Sequence, residues 1–422
     1  MPDHDQRFDV IVVGGGPAGS LTAYRLARAG VRVLVIDADR FPREKPCGGG
    51  IQRRASRKIP LEWTAAVREE LQEVSFSFGL GGGFTRRHTG TLVTSVLRAE
   101  FDGLLLSQAE ASGAVVWQDC RAFEVVAGDE RDPCLCVKSS KGEVRGWFVV
   151  AADGANSRLA RQLNPRTAYY WQVALYSEVP TEHIQPESIT HSRMRIDWGT
   201  LPSGYGWIFP KGDSVNVGVG APASIGRSLR PYLHRFLEAE RLVRAGALPN
   251  LRFRGHQLPT LTSRTRLSRS NLLLVGDAAG LVEPLTGEGI SNACHSAEIA
   301  SDFILETLSG AVSRLGSYDE RIRREIGKEI ERARQLLSLA VAFPRSLFRL
   351  LRENEFVWNA FCRVLRGEDS FLDLRRAILG KFGPLWAPLR RFAEWCENRK
   401  LHSYGRSLAE ADWTADSEPL VY

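Results

Sequence analysis

Three glycines and an aspartate at fixed spacing carry the first recognisable chemistry in this chain. Gly14, Gly16 and Gly19 form a G-x-G-x-x-G run directly after the apolar stretch Val10 to Val13, and Asp37 closes a second apolar stretch 23 residues beyond Gly14. Such a run serves the binding of a nucleotide pyrophosphate. The first glycine makes a tight turn, the second lets the backbone approach the phosphates, and the third lets a helix pack on the sheet with its N-terminus toward the negative charge. Asp37 can accept hydrogen bonds from an unphosphorylated adenosine ribose, which points to FAD or NAD rather than NADP. Cys47 is the second candidate, set between Pro46 and Gly48, Gly49 and Gly50 in a loop that follows the nucleotide-binding unit. That placement favours an exposed thiol near a cofactor, against the reading of an inert small hydrophobe. The third is the run Tyr205 to Pro210, whose Tyr205, Trp207 and Phe209 share one face as a strand, either as sheet core or as the wall of an apolar pocket. His191 and His295 have no partner at metal-ligand spacing and Cys134 and Cys136 lack the usual zinc spacing, so no metal site is expected.

These groups need a strand, a helix and a second strand in succession to hold them. Val10 to Val13 reads as a buried strand, residues 18–29 carry the 3.6-residue period of a helix, and residues 31–36 read as the second strand. Prolines and glycines make residues 41–50 an extended loop, followed by a helical pattern over 52–57 and an irregular turn over 79–83. A helix is predicted from Val96 to Ala111, then short strands near 115–117, 123–126, 135–138 and 147–151. Alternation predicts further strands near 171–178, 192–197, 206–209 and 215–219, then a helix around 227–245. Residues 272–275 return to buried-strand character and lead through Gly276 and Asp277 into a helix over 289–308, and residues 318–400 are mainly helical. The expected class is α/β: a Rossmann-like dinucleotide-binding domain, a mostly antiparallel β-sheet substrate domain and a helical C-terminal region. The expected boundaries are 1–165 with a substrate-domain excursion over about 55–95, 166–265, 266–330 and 331–422.

Of the 422 residues, 43% are hydrophobic and 25% charged, which excludes disorder and supplies more than one core. No apolar run approaches the roughly 20 residues that span a bilayer, and the polar start lacks a signal-peptide core, so a cytoplasmic location is expected, with peripheral membrane contact as an addition. Seven cysteines at irregular spacing do not read as a disulfide framework. The net charge is +7, from 56 basic and 49 acidic residues, and residues 332–400 hold fourteen Lys or Arg against seven Asp or Glu. That excess of seven equals the whole net charge. Phe343, Phe348, Phe356, Trp358, Phe361, Phe371, Phe382, Trp386, Phe392 and Trp395 are interleaved with it. The segment reads either as a helical cap with a solvated basic face or, over Arg345 to Arg391, as a surface for anionic membrane. No RNP, zinc-finger or helix-turn-helix signature accompanies it, so nucleic acid is not an expected partner.

Two further segments carry a resemblance to a known superfamily. The stretch Val150-Ala-Ala-Asp-Gly-Ala-Asn-Ser-Arg158 resembles the Asp-Gly motif of the flavin hydroxylase superfamily, and Leu274-Val-Gly-Asp-Ala-Ala-Gly280 resembles its Gly-Asp motif. With G-x-G-x-x-G they form the three-part signature of the para-hydroxybenzoate-hydroxylase-like fold, which implies FAD. The resemblance implies that Asp277 binds the ribityl hydroxyls, that Asp153 lies near the pyrophosphate, and that Arg98 contacts the cofactor. It also implies that Gly276 belongs to the cofactor site and that Gly287, Gly289 and Ile290 bring backbone donors to the flavin ring. Pro46-Cys-Gly-Gly-Gly50 and Tyr205-Gly-Trp-Ile-Phe-Pro210, followed by Gly218-Val-Gly220, resemble paired signatures of geranylgeranyl reductases, flavoenzymes that saturate prenyl double bonds. That family implies a prenyl lipid or quinone substrate; beside it, the residues themselves suggest a pocket at Gly48, Gly49, Gly50, Trp207 and Phe209, with Cys47 as candidate proton donor or positioner and Tyr205 as the second candidate. Rival readings are a flavin monooxygenase and a flavin-dependent halogenase, although the halogenase WxWxIP pattern is missing because Tyr205 and Phe209 stand at two of its positions. No second dinucleotide motif is found, so the expected electron donor is NADPH docking transiently, a ferredoxin or another reductase.

Overall fold

Val10–Val13 and Val33–Ile36 are uninterrupted apolar runs, as strands covered on both faces require. In the computed structural model, which describes residues 7–129, 132–188, 191–243, 251–311, 316–379 and 385–410, they form the centre of a parallel sheet. The chain begins β1 (Arg7–Val13), α1 (Pro17–Arg28), β2 (Val33–Ile36), β3 (Gly50–Gln52) and α2 (Arg53–Ser56). It continues with β4 (Val67–Leu71), β5 (Glu73–Phe78), β6 (Gly83–Arg87), β7 (Val93–Val96) and α3 (Arg98–Ala111). Next come β8 (Val115–Trp117), β9 (Ala122–Val126), β10 (Leu135–Ser139), β11 (Gly142–Ala151) and α4 (Arg158–Leu163). The second half opens with β12 (Tyr169–Pro180), β13 (Arg193–Trp198), β14 (Tyr205–Pro210), β15 (Ser214–Pro222) and α5 (Leu229–Ala239). It then returns through β16 (Arg254–Leu261), β17 (Ser268–Arg269), β18 (Leu272–Leu274) and α6 (Ile290–Leu308).

The first sheet runs β17-β18-β11-β1-β2-β8, with β1 parallel to both β11 and β2 and with β10 and β9 attached as an antiparallel flap. The second runs β16-β12-β15-β14-β13-β5-β6 and is antiparallel except where β13 meets β5. Strands β5 and β6 reach it from the middle of the nucleotide-binding half. A small sheet β3-β7-β4 joins the two. The helical pattern read over residues 52–57 contracts to the single turn of α2, because Gln52 pairs with Val93 in that small sheet. Val96 likewise belongs to β7, so α3 starts only at Arg98.

The chain ends in α7 (Gly316–Ile322), α8 (Lys328–Ala342), α9 (Pro344–Glu353), α10 (Glu355–Arg366), α11 (Phe371–Leu379) and α12 (Trp386–Glu410). These helices cover the second sheet. Trp358, Cys362 and Leu365 of α10 pack on Val74, Phe76 and Met194, and Phe348 of α9 stacks edge-on against Phe84 at 5.0 Å. The aromatic residues of this region therefore divide. Trp358 and Phe371 are buried, Phe348, Phe361 and Trp386 pack against cores, and Phe343, Phe356, Phe392 and Trp395 are exposed. Phe382 lies outside the described residues.

Candidate active site

Where the parallel sheet meets the antiparallel one, a cavity of about 630 Å³ opens. Gly14, Gly16, Asp37, Arg98, Asp153, Gly276, Asp277, Gly287, Gly289 and Ile290 line it from one side, and Cys47, Gly48, Gly49, Gly50, Tyr205, Trp207 and Phe209 from the other. Gly19 is not part of its wall. A Cβ there would fall 1.8 Å from the carbonyl oxygen of Gly14, so this glycine lets α1 close on the β1 turn. The α1 N-terminus carries no side-chain cap, and a Cβ on Gly16 would meet only Nη2 of Arg43, at 3.6 Å. Backbone donors and a guanidinium thus face open space, as a pyrophosphate requires. Asp37 is locked by N–H groups of Gly15 (2.5 Å) and Asp39 (2.9 Å), although burial pushes its pKa up. Asp153 accepts from the Arg158 N–H at 3.0 Å, while its Oδ1 is buried with no partner among the described residues and burial raises its pKa. A buried acceptor left unpaired is costly unless a ligand satisfies it. The residues present fit FAD.

A charged cluster forms the cavity floor. Arg98 holds Asp102 through two 2.8 Å hydrogen bonds, and Arg43 Nη1 lies 3.2 Å from the same fully buried carboxylate. Burial disfavours the charge on Arg98, but Asp102 and the neighbouring Cys47 outweigh it and raise its pKa. Lys45 Nζ lies 3.4 Å from His256 Nε2, which lies 3.9 Å from Asp277. Burial pulls down the pKa of Lys45 and His256; it would raise that of Asp277, yet His256, Lys45 and Arg98 hold the carboxyl below its ordinary range. Sequence reasoning missed Arg43, Lys45, Asp102 and His256. Only Asp102 had a readable signal, its i,i+4 spacing from Arg98 on a predicted helix.

Cys47 sits over the β14–β15 face of the antiparallel sheet, half-buried, with its Sγ accepting the Gly49 N–H at 3.3 Å and facing the Arg98 guanidinium. The loop lies flat because it has no side chains there: at Gly49, with φ of 69°, a Cβ would meet the Val96 carbonyl at 2.3 Å and Lys211 Nζ at 2.7 Å. Beneath it Lys211, almost fully buried, pairs with Glu178 at 2.6 Å. Asn216 donates to Glu178 (2.7 Å) and to the Cys47 carbonyl (3.3 Å) while accepting from the Trp207 indole (2.7 Å). The Trp207 ring fills the hollow over Gly218, which gives the G-x-G its packing role. Tyr205, Trp207 and Phe209 do line one face, with successive ring centroids 5.9 and 6.4 Å apart. The Tyr205 hydroxyl donates to the Thr286 carbonyl, and burial pushes its pKa up. At the start of α6 the Glu288 carboxylate accepts from the Ser291 N–H at 2.5 Å and pairs with Arg54 at 3.0 Å.

A second cavity, about 780 Å³, lies behind this face and shares Gln52, Val93, Tyr205, Phe209 and Thr286 with the first. Its walls are Val74, Phe76, Met194 and Ile196 of the sheet and Leu336, Leu339, Leu347, Phe361 and Leu389 of the C-terminal helices. Its one charged lining residue among those described is Lys400, whose ammonium donates to the Val341 carbonyl at 2.6 Å. The C-terminal helices, read from sequence as a cap with a solvated basic face or as a membrane surface, thus also form part of a cavity wall. The histidines singled out earlier lie apart: His191 contacts Glu69 at 3.1 Å and His295 contacts Glu325 at 3.3 Å.

Residues 7–174 match the FAD binding domain family and residues 182–247 the geranylgeranyl reductase catalytic domain. The menaquinone reductase of Mycobacterium tuberculosis is 33% identical over 362 residues, covering 81% of this chain and 86% of that one. The chain belongs to the geranylgeranyl reductase family of FAD-dependent oxidoreductases. A digeranylgeranylglycerophospholipid reductase of Methanopyrus kandleri is 32% identical over 354 residues, 79% of this chain and 90% of that protein. Among solved structures, a geranylgeranyl bacteriochlorophyll reductase-like protein of Thermoplasma acidophilum shares the fold, with a TM-score of 0.74 at 23% identity over 92% of this chain and 99% of that one. Membership in this family makes the chain an FAD-dependent oxidoreductase.

Proposed function

We propose that this reductase saturates carbon–carbon double bonds of a prenyl chain carried by a lipid or quinone, with the chain lying in the 780 Å³ cavity and a double bond brought to the wall shared with the FAD cavity. The observation that carries this reading is the junction itself: a largely apolar cavity, its one charged lining residue among those described tied to a backbone carbonyl, meets the cofactor cavity at Tyr205, Phe209 and Thr286. Each methylene-sized unit moved from water into such walls contributes about 0.8 kcal/mol, so a long hydrocarbon is recognised without a charged anchor.

FAD, when bound and reduced, supplies a hydride. An isolated alkene is not an electrophile, so the protein must deliver a proton to one of its carbons, and the hydride closes the other. Cys47 holds that proton at Sγ. The thiolate left behind faces Arg98 and the Gly49 N–H, two donors already aimed at the sulfur. Tyr205 has its hydroxyl committed to the Thr286 carbonyl and so positions the junction. The apolar walls keep water from the cationic carbon. Asp277, Asp153, Asp37 and the α1 N-terminus would hold FAD, with Gly287, Gly289 and Ile290 beside the ring. Electrons come from NADPH or a ferredoxin, and turnover with each donor in turn identifies which. The C-terminal region from Arg345 to Arg391 meets anionic membrane; no described helix is long and apolar enough to cross one.

The test narrows the cavity. Ile196→Trp should abolish reduction of a C20 prenyl chain and spare a C10 analogue, with FAD content unchanged. Equal rates on both chains, or equal loss of both, would contradict the placement of the substrate.

A further inference from the structure

Phe343, Phe392 and Trp395 are 38%, 48% and 54% exposed, where rings of this kind are usually buried. They form one ridge: Phe343 and Phe392 have centroids 6.0 Å apart, as do Phe392 and Trp395, and the Arg399 guanidinium lies over the Trp395 ring at 5.2 Å. Phe392, Trp395 and Arg399 fall at i, i+3 and i+7 on α12 and so share a stripe. Around them Arg345 and Arg349 of α9 and Arg391, Arg399 and Lys400 of α12 are exposed. Among the described side chains, the carboxylates of the same helices are buried or lie near an arginine. Glu397 is buried between the Ser203 and Ser338 hydroxyls at 2.6 and 2.5 Å, Glu394 lies 3.8 Å from Arg390, and Glu353 lies 3.8 Å from Arg352. One member of the ridge has two faces: Phe343 is exposed and also lines the 780 Å³ cavity, with Pro344, Leu347 and Leu350 following it along the wall.

We propose that this ridge is a docking surface for an anionic lipid bilayer and that Phe343 marks the portal through which a prenyl chain passes from the bilayer into the cavity. The second half of that statement rests on the prenyl-substrate reading; the docking does not. Exposed aromatic rings flanked by cations match the interfacial zone of a membrane, where rings sit at headgroup depth and arginine and lysine meet anionic lipid. Continuity with the cavity favours a bilayer over a second copy of the chain, because a polyprenyl substrate is dissolved in lipid and would otherwise have to cross water.

The experiment compares the FAD-loaded full chain with its Phe392→Ser/Trp395→Ser variant, since neither residue lines the cavity. Flotation with equimolar phosphatidylcholine and phosphatidylglycerol vesicles should show binding that high salt weakens and that the variant loses by about tenfold or more. Turnover of a prenyl lipid embedded in those vesicles should fall by a similar factor, while turnover of a short detergent-dispersed prenyl substrate stays unchanged. Equal binding of both proteins, or no binding of the unaltered chain at low salt, overturns the docking surface. A dimer in sedimentation that the variant converts to monomer overturns it in favour of a second copy. Parallel loss of vesicle and detergent turnover overturns the portal. Vesicle binding as expected with no prenyl chain reduced in any form would leave the docking standing and remove the prenyl reading.

Discussion

Replacing Asp102 with leucine should unbalance the cofactor site from below. Its carboxylate is fully buried and receives two 2.8 Å hydrogen bonds from Arg98, with Arg43 at 3.2 Å on the other side. Both guanidiniums are themselves nearly buried, with 9% and 12% of their side-chain surfaces exposed, so solvent screens them little. Removing one partner of a buried ion pair costs about 3–5 kcal/mol, because the surviving charge has lost its counterion without regaining water. Here two like charges survive. Asp102→Leu should therefore lower the stability of FAD-free protein by about 3–5 kcal/mol. Adding Arg98→Met removes one stranded cation, so the double variant should be less unstable than the sum of the singles by about 1–3 kcal/mol. Urea unfolding followed by tryptophan fluorescence measures both quantities, on FAD-free protein so that ligand binding adds no stabilisation. A loss below about 1 kcal/mol for Asp102→Leu, or additivity of the two substitutions, would refute the view that this carboxylate balances two buried cations.

Gly16→Val should purify with FAD occupancy reduced by at least about tenfold, because its side chain enters the space facing the α1 N-terminus, yet keep its FAD-free stability, since the new Cβ meets only Arg43 Nη2 at 3.6 Å; absorbance at the flavin band reports the first and urea midpoints the second, and full occupancy would sink the pyrophosphate assignment. Cys47→Ala and Cys47→Ser should both retain FAD while losing about a hundredfold or more in turnover; a serine variant with most of its activity would show that shape alone matters there. Asn216→Leu should slow turnover and alter the rate at which Cys47 reacts with iodoacetamide, as the amide holding the Cys47 carbonyl is gone; an unchanged alkylation rate would remove Asn216 from any positioning role. Acid should destabilise the protein in a window set by His256. Burial and Lys45 hold its folded pKa below the ordinary 6.5, so the unfolded chain takes up more protons as pH falls below about 6.5 and stability declines. His256→Gln should flatten that decline as measured by unfolding midpoints, and an unaltered slope would contradict the assignment.

The nucleotide-binding half was legible because its signals are local. A buried strand, a glycine turn and a helix follow one another within thirty residues; Gly14 and Gly19 answer close backbone contacts in the fold, and Gly16 leaves the helix N-terminus open. Asp153 and Asp277 were legible through motifs, yet the motifs say nothing of Lys45 and His256, which meet Asp277 from a loop and from β16, 211 residues apart in the chain. Long-range polar contacts leave no periodic trace. The Tyr205, Trp207 and Phe209 face was visible as alternation, but alternation alone left core and pocket equally open; in the fold the three rings line a cavity, with Trp207 also packed on Gly218. The C-terminal helices were legible as helices, but their packing role was not, for a related reason. An amphipathic period shows that one face is apolar without showing whether that face meets a solid core or the wall of a cavity, and α8 to α12 contribute to both.

Mass spectrometry of a prenyl lipid after one anaerobic turnover tests the central claim most directly. Chemically reduced, FAD-loaded protein is mixed with a geranylgeranyl lipid or a polyprenyl quinone in the absence of oxygen and of any added electron donor. The account predicts a product two hydrogens heavier, formed in proportion to the reduced protein supplied, with both added hydrogens carrying deuterium when the reaction is run in heavy water, because the hydrogens on reduced flavin nitrogen and on a thiol exchange with solvent. An unchanged lipid under these conditions, with product appearing only once oxygen is admitted and gaining an oxygen or a halogen atom, would contradict it.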